Sequence, residues 1–433
     1  MKYFIRTFGC AANEADSERV AAMLEARGMT KASSMDKAGH VVINTCMVRR
    51  SAEDRAYGLI RNLRKVKSRQ PDLKIVVTGC LVGAAAREKS GEMMRHLKEK
   101  WPEVDEWLPI EEVGFDFAPL RSNEGHALVT VSNGCNNFCT FCIVPFTRGR
   151  EVSRPFKEVV TECKQLIKNG YKEITLVGQN VNSYGADLLV GGENIQTLRD
   201  LGRTYFESPP LVQGTGRDDY LRNQDEDRHR PIPARPWKGD GGKYKPVYIK
   251  HLGKFRLPTL FPQLLETVSV IPGLMRLDFI SSNPWDFTDD LIEVMAKHQN
   301  IARQLHLPVQ SGSNAVLKRM NRWYTRREYL ELVSKLKTKI SGITLSTDII
   351  VGFPGETENQ FNETVDLVKR AGFYKAYISR YSPRPGTAAT TAFCDDVGHR
   401  EKKRRWQVLE NLINKPYLKK GSTPLNSRAC SKP

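Results

Sequence analysis

Apolar residues in the first 110 positions follow two rhythms. Short runs, Tyr3-Phe4-Ile5, Val41-Val42-Ile43 and Ile75-Val76-Val77, predict buried strands of a parallel sheet. Between them, apolar positions recur at helical spacing. Val20, Met23 and Leu24 form one helical face, closed by Gly28. Ala56, Leu59, Ile60, Leu63 and Val66 form another, with Ser51 and Asp54 read as its capping box. The order β-α-β-α-β predicts an α/β, doubly wound parallel sheet in an N-terminal domain of residues 1–120.

The alternation restarts near residue 126. Strands are expected at Ala127–Val131, Ile174–Val177, Met275–Ile280, Gln304–Leu307, Leu345–Val351 and Ala376–Arg380. Helices are expected at Phe156–Ile167, Asp289–Lys297, Arg326–Lys337 and Glu358–Arg370. Six strands in βα repeats predict a partial (βα)6 barrel over residues 121–398. Polar residues stand at the strand ends: Gln179, Asn180, Ser281, Ser282, Gln310, Ser311, Asp348 and Tyr381. The carboxyl edge of such a barrel is its working face. The rhythm fails between about 187 and 258, a polar, Gly- and Pro-rich insertion with little core of its own. Residues 399–433 read as a basic helix, with Trp406, Leu409, Leu412 and Ile413 facing inward, followed by a loose tail.

Charge narrows the partner. Lys and Arg number 67 against 49 Asp and Glu, a net charge of +18. Such an excess points to a polyanion, nucleic acid above all. No run approaches the roughly 20 apolar residues of a membrane span. The apolar run at the N-terminus is too short for a signal peptide. A cytoplasmic chain with no membrane partner is therefore expected. Nine cysteines in a reducing compartment point to metal ligands or catalytic thiols rather than disulfides.

Six of the nine fall into two triads. Cys135, Cys139 and Cys142 are spaced C-x3-C-x2-C just after the first strand of the second unit. Cys10, Cys46 and Cys80 are spread over seventy positions, but each follows a predicted strand. A parallel sheet gathers such strand ends on one edge, where ligands bind. Structural zinc takes four ligands, usually as two close pairs, and neither triad has a fourth cysteine nearby. A 4Fe–4S cluster held by three thiolates instead of the usual four leaves one iron open to an outside ligand. Cys163 falls on the apolar face of its helix and is read as core. Cys394 and Cys430 have no partners in sequence.

C-x3-C-x2-C after the first strand of a βα barrel resembles the radical S-adenosylmethionine enzymes. "GCAANEADS", "INTCMVRRSAEDRAYG" and "VVTGC" resemble the N-terminal domain of the methylthiotransferases. "GCNNFCTFCIVPFTRGREVSRP", "LVGQNVNSYG", "LHLPVQSGSNAVLKRMNRWYTRREYLELV", "LSTDIIVGFPGET" and "YSPRPGT" resemble their radical domain. The likeness is closest to the MiaB-type tRNA methylthiotransferases and runs from residue 3 to about 415, the insertion excepted. It implies two 4Fe–4S clusters with divided labour. The cluster on Cys135, Cys139 and Cys142 would bind S-adenosylmethionine and generate a radical. The cluster on Cys10, Cys46 and Cys80 would carry the sulfur to be inserted. The expected product bears a methylthio group on carbon 2 of N6-isopentenyl-adenosine beside the tRNA anticodon. The expected partners are tRNA, S-adenosylmethionine, an electron donor such as flavodoxin or ferredoxin, and a sulfur source. Gln179, Ser282, Gln310 and Asp348 stand where the cofactor's ribose and amino-acid end should lie. Arg148, Arg150 and Arg154 are expected to meet phosphate or substrate, and the turn 352–356 to approach adenine.

Members of this family usually end in a small β-barrel of the TRAM type that grips tRNA. The last residues here are too few, and too poor in alternating apolar positions, for such a barrel. Lys402, Lys403, Arg404 and Arg405 and the Arg-rich insertion are expected to take its place. Other readings keep the chemistry and change the target, to threonylcarbamoyl-adenosine in tRNA or a ribosomal-protein aspartate. A further one is an iron–sulfur RNA-binding protein without turnover.

Overall fold

In the computed structural model, residues 1–48, 50–115, 117–187, 249–251, 254–256 and 259–416 are described. The first 113 residues form β1 (Lys2–Thr7), α1 (Ala11–Ala26), β2 (Thr30–Lys31), β3 (His40–Thr45), α2 (Arg50–Lys67), β4 (Lys74–Gly79), α3 (Cys80–Arg87), α4 (Glu92–Lys100), β5 (Glu106–Leu108) and α5 (Ile110–Val113). The strands make one parallel sheet in the order β2-β1-β3-β4-β5. Successive side chains of a strand point to opposite faces, and the two cores show it. Val42 and Val76 pack with Val20, Met23, Leu24, Ile110 and Val113 on one face. Val41, Ile43, Ile75 and Val77 pack with Ala56, Ile60, Leu63, Leu81 and Leu97 on the other. A strand covered on both sides must be apolar throughout, which is why β3 and β4 read as unbroken runs.

Two expectations for α2 fail. The helix begins at Arg50, so Ser51 lies inside its first turn and the Ser51/Asp54 capping box does not form. Val66 is exposed, because the buried stripe of Ala52, Ala56, Ile60 and Leu63 ends there and the last turn is a basic, solvent-facing end. The edge strands β2 and β5 went unseen because two or three residues leave no periodic signal.

The second unit contains β6 (His126–Thr130), β7 (Ser132–Asn133), α6 (Val144–Arg148), β8 (Val152–Ser153), α7 (Phe156–Lys168) and β9 (Glu173–Val177). An antiparallel pair, β10 (Ile249–His251) and β11 (Lys254–Arg256), falls in the tract expected to be an insertion, whose residues 188–248 lie outside the description. Then come α8 (Phe261–Ser269), β12 (Arg276–Phe279), α9 (Asp289–Lys297), β13 (Gln304–His306), α10 (Asn314–Arg319), α11 (Arg326–Lys339), β14 (Thr344–Val351), α12 (Glu358–Ala371), β15 (Lys375–Arg380), α13 (Ala388–Ala392) and α14 (His399–Leu409). Strands β6, β9 and β12 pair in parallel, as do β13, β14 and β15. Main-chain bonds from Leu277 N to Asn300 O and from Ala302 N to Leu277 O, both 2.9 Å, join the two sets. Six parallel strands thus follow in chain order around one apolar core, which includes Cys163 as expected. Met275, placed in a strand by its apolar side chain, lies outside β12 and is exposed.

The basic helix α14 is not a free cationic face. Lys402 is buried and bonded to Asp395 (2.5 Å) and to the Tyr381 carbonyl (3.2 Å). Arg405 is buried on Glu356 (2.8 Å), and Arg404 pairs with Glu358 and Glu401. The turn 352–356 is closed by the same helix: a Cβ on Gly352 (φ +66°) would lie 2.4 Å from Cγ of Lys402. At Gly352 the turn therefore packs against α14. Of the four cations expected to hold RNA, two build the fold. K402E and R405E are expected to cost about 3 kcal/mol or more of stability, since R405E strands the buried Glu356 carboxylate and K402E puts a new carboxylate in a buried position beside the Tyr381 carbonyl. K403E, at an exposed position, should stay within about 0.5 kcal/mol. Urea unfolding of the three variants checks this, and equal midpoints would refute it.

Candidate functional site

The carboxyl ends of β1, β3 and β4 are neighbours, and each delivers a thiol. Cys10 stands at the N-terminus of α1, Cys46 directly follows β3, and Cys80 opens α3. A buried amide network holds these ends together. Asn13 donates from Nδ2 to Asn44 Oδ1 (2.9 Å) and to the Thr45 carbonyl (3.0 Å). Asn44 returns its own amide to Asn13 O (2.8 Å) and Ser17 Oγ (2.9 Å). Thr45 Oγ1 donates to Thr78 O (2.7 Å), and Asn13 Oδ1 lies 3.5 Å from Cys10 Sγ. Gly79 is obligatory here: φ is +88°, and a Cβ would lie 2.3 Å from Asn44 Oδ1. Sequence reasoning missed Asn13, Asn44 and Gly79. The available signal was an asparagine inside an otherwise apolar strand, two places before Cys46.

The second triad sits in a loop between β7 and α6. Gly134 (φ +84°) brings this loop so close to the returning chain that a Cβ would lie 2.0 Å from Arg150 O. Cys135 N donates to Gly149 O (3.2 Å), and Cys142 N to Cys139 O (2.9 Å). The outer side is pinned by Thr140, whose N and Oγ1 donate to Met320 O (3.1 Å) and Arg319 O (2.8 Å), and by Asn321 Nδ2 on Phe138 O (3.0 Å). Burial, then the adjoining Cys139, pushes the Cys142 thiol up to about 12; burial first, then Glu151, raises Cys135. Both are therefore protonated until a metal displaces the proton. G134A should shift the loop and reduce S-adenosylmethionine cleavage at least ~100-fold with an unchanged circular dichroism spectrum. Activity within a few-fold of the parent would refute that geometry.

The two triads meet. Helix α3, which starts at Cys80, packs on α6, which follows Cys142. At the crossing a Cβ on Gly83 would lie 2.1 Å from Thr147 O. Cys80 and Cys142 are within charge–charge reach of one another, and Arg148 is within reach of Cys80 and Cys10. Arg148 is buried and bonded to Asp16 (2.6 Å) and Asn133 Oδ1 (3.1 Å), and Arg19 shares Asp16 at 2.5 Å. Arg121 ties Glu18 of α1 to Glu162 of α7. Arg384 reaches Glu53 Oε2 (3.3 Å) and Val48 O (3.1 Å), beside Cys46. Arg148 and Arg154, expected to meet phosphate, are committed instead to Asp16 and Glu162; burial made these ion pairs necessary. Arg150 is exposed, with its guanidinium over the Phe138 ring.

Of the four residues expected near the cofactor, Gln179, Ser282 and Gln310 follow their strands on the barrel's carboxyl edge, whereas Asp348, expected at a strand end, lies inside β14. Gln179 accepts from Gly134 N through Oε1 (2.6 Å) and so positions the triad loop. Ser282 donates to His306 O (2.5 Å). Gln310 is buried at φ +69° and bridges to β14, with its N on Asp348 O at 2.9 Å. Asp348 Oδ2 lies 3.2 Å from His306 Nε2. Glu151 went unnoticed: it is buried below the triad and accepts from Ser183 Oγ (2.6 and 2.7 Å). Burial, then Asp187 and Asp286, holds its carboxyl well above the ordinary range.

Among the described residues, no three His, Cys, Asp or Glu side chains converge tightly enough to chelate a single ion. A multi-iron cage needs its thiols wider apart, and two thiol-only triads are the donor sets such a cage takes. Residues 2–105 match a model described as uncharacterized protein family UPF0004, and residues 129–211 and 258–368 match the radical SAM superfamily. The tRNA-2-methylthio-N(6)-dimethylallyladenosine synthase of Thermotoga petrophila is 38% identical over 429 residues, 95% of this chain and 81% of that one. The chain belongs to this synthase family. The synthase of Clostridium botulinum strain Okra is likewise 38% identical, over 97% of this chain and 83% of its own, and that of Finegoldia magna is 36% identical over 96% and 79%. Among solved structures, the radical S-adenosylmethionine methyltransferase TsrM of Kitasatospora setae covers 90% of this chain and 75% of its own at 14% identity and a TM-score of 0.49. Membership gives the synthase family's two matched regions a physical counterpart here: one cysteine triad in each, brought to one junction.

Proposed function

We infer that this chain is a radical S-adenosylmethionine methylthiotransferase acting on carbon 2 of N6-isopentenyl-adenosine next to the tRNA anticodon. The observation that carries it is the meeting of the two thiol triads where α3 crosses α6. We assign Cys135, Cys139 and Cys142 to the radical-generating cluster and Cys10, Cys46 and Cys80 to the sulfur-carrying one. When bound, these groups and S-adenosylmethionine supply a carbon-centred radical and a methylated sulfur, the chemistry an inert aromatic C–H bond requires.

The protein's own part is placement. The Asn13–Asn44–Thr45 network fixes the first triad, and the Gly134–Gln179 bond fixes the second. The Asp16–Arg148 pair holds the two at one spacing, so that a base between them meets both. Gln179, Ser282, Gln310 and Asp348 are assigned to the cofactor's side of the barrel. The domain assignment is 1–120, 121–398 with its insertion, and 399–433. A low-potential electron donor such as flavodoxin or ferredoxin and a sulfur source complete the partners. Among the described residues no helix is long and apolar enough to cross a membrane, and a tRNA substrate supports the cytoplasmic reading.

The test is nucleoside mass spectrometry of tRNA from a host lacking its own methylthiotransferase, with and without this chain. Appearance of 2-methylthio-N6-isopentenyl-adenosine supports the reading. A methylthio product on threonylcarbamoyl-adenosine, or none at all with intact clusters, refutes it.

A further inference from the structure

Arg322 lies in the turn between α10 and α11, the turn pinned to the triad loop through Thr140 and Asn321. Its guanidinium donates from Nη1 to Cys139 Sγ (3.3 Å), from Nη2 to Asn283 Oδ1 (3.2 Å) and Pro308 O (3.0 Å), and from Nε to the Tyr324 hydroxyl (3.0 Å). Among the described residues no carboxylate oxygen lies within 4.0 Å of it. The buried arginines of the protein differ: Arg19 and Arg148 have Asp16, and Arg405 has Glu356. A half-buried guanidinium with neutral acceptors on every other nitrogen favours an anion at the remaining one. The one group it touches that can carry negative charge at neutral pH is the Cys139 sulfur, once a metal has taken its proton. Trp285 and Trp323, ring centroids 5.5 Å apart, line the same cleft of about 170 Å³.

We propose that Arg322 is the fixed countercharge of the radical-generating cluster, a positioning residue whose bond to the Cys139 sulfur makes that cluster easier to reduce. The inference rests on the assignment of Cys135, Cys139 and Cys142 to a 4Fe–4S cluster. Reduction adds one electron from a low-potential one-electron donor; no covalent bond changes, and Arg322 keeps its proton. A positive donor on a ligand sulfur stabilises the more negative, reduced state more than the oxidised one, so it raises the reduction potential. The planar fork matters as well as the charge, because it spans Asn283, Pro308 and Cys139 at once, and a lysine ammonium cannot.

The test uses the full-length C10A/C46A/C80A protein, reconstituted anaerobically so that one cluster remains. It is titrated with dithionite and read by electron paramagnetic resonance. R322Q should keep the parent's iron content, with a lower midpoint potential and a smaller reduced fraction at fixed dithionite. R322K, which keeps the charge and loses the fork, should fall between. An unchanged potential in an iron-loaded R322Q overturns the proposal. Loss of iron from both variants also overturns it, by making Arg322 a clamp on the loop. A parent that holds no iron removes the cluster assignment itself, and the proposal with it.

Discussion

Cys135, Cys139 and Cys142 replaced together by alanine should abolish both cleavage of S-adenosylmethionine to 5′-deoxyadenosine and methylthiolation of tRNA, each by on the order of 10⁴-fold or more. Replacing Cys10, Cys46 and Cys80 should abolish the second and spare the first. The asymmetry follows from position. The C-x3-C-x2-C loop belongs to the barrel, pinned to α10, β8 and β9, and none of those supports passes through the first sheet. The first sheet's thiols are held by their own amide network. Iron content after anaerobic reconstitution should be about eight per chain in the native protein and about four in either triple variant. About four in both the native protein and the N-terminal variant would mean that Cys10, Cys46 and Cys80 hold no cluster, and sulfur insertion would have to be abandoned. If the N-terminal variant also stops cleaving S-adenosylmethionine, the division of labour is wrong.

Asp16→Ala should cost about 3–5 kcal/mol and uncouple the two sheets, because it leaves Arg148 charged and buried beside the thiols. Arg148 has no second carboxylate among its bonds: its other side-chain acceptor is Asn133. Pairing D16A with R148M should recover part of the loss by removing the Arg148 charge, and the remainder reports on Arg19, which shares Asp16 and is left buried without a carboxylate. Burial alone would raise the Asp16 carboxyl; Arg148 and Arg19 overcome it and hold the carboxyl below its usual value. The pair's contribution therefore stands in full above an ordinary aspartate pKa of about 4 and fades as pH falls through the lower folded value. Urea titrations at neutral and acid pH measure both effects. A D16A cost below about 1 kcal/mol would show that the pair does not hold the junction.

The parts legible in the sequence were those that periodicity and cysteine spacing encode. The unbroken apolar run Val41, Val42 and Ile43 needs only the local chain, and so does the helical stripe of Val159, Val160 and Cys163. Cys10, Cys46 and Cys80 were found together because topology, not proximity in sequence, sets a sheet's carboxyl edge. Electrostatics was the illegible part. Whether an arginine meets solvent or a buried carboxylate depends on a partner far along the chain. Arg148 and Asp16 are 132 positions apart, and Arg405 and Glu356 are 49 apart. A run such as "EKKRR" looks the same in either case. Arg322 was missed for the same reason: its acceptor, Cys139, lies 183 positions earlier.

Arg384 closes over the loop after Cys46, yet it lies 331 positions beyond the Glu53 it pairs with. At a synthesis rate of about 5–20 residues per second, the interval between the two is on the order of tens of seconds. The first sheet has all of its strands by Leu108, so during that interval it can stand folded beside the ribosome with its thiol edge uncovered. The order of translation thus gives the machinery that delivers iron and sulfide a period of access to Cys46 and Cys80, which are buried in the finished protein, while Cys10 stays exposed.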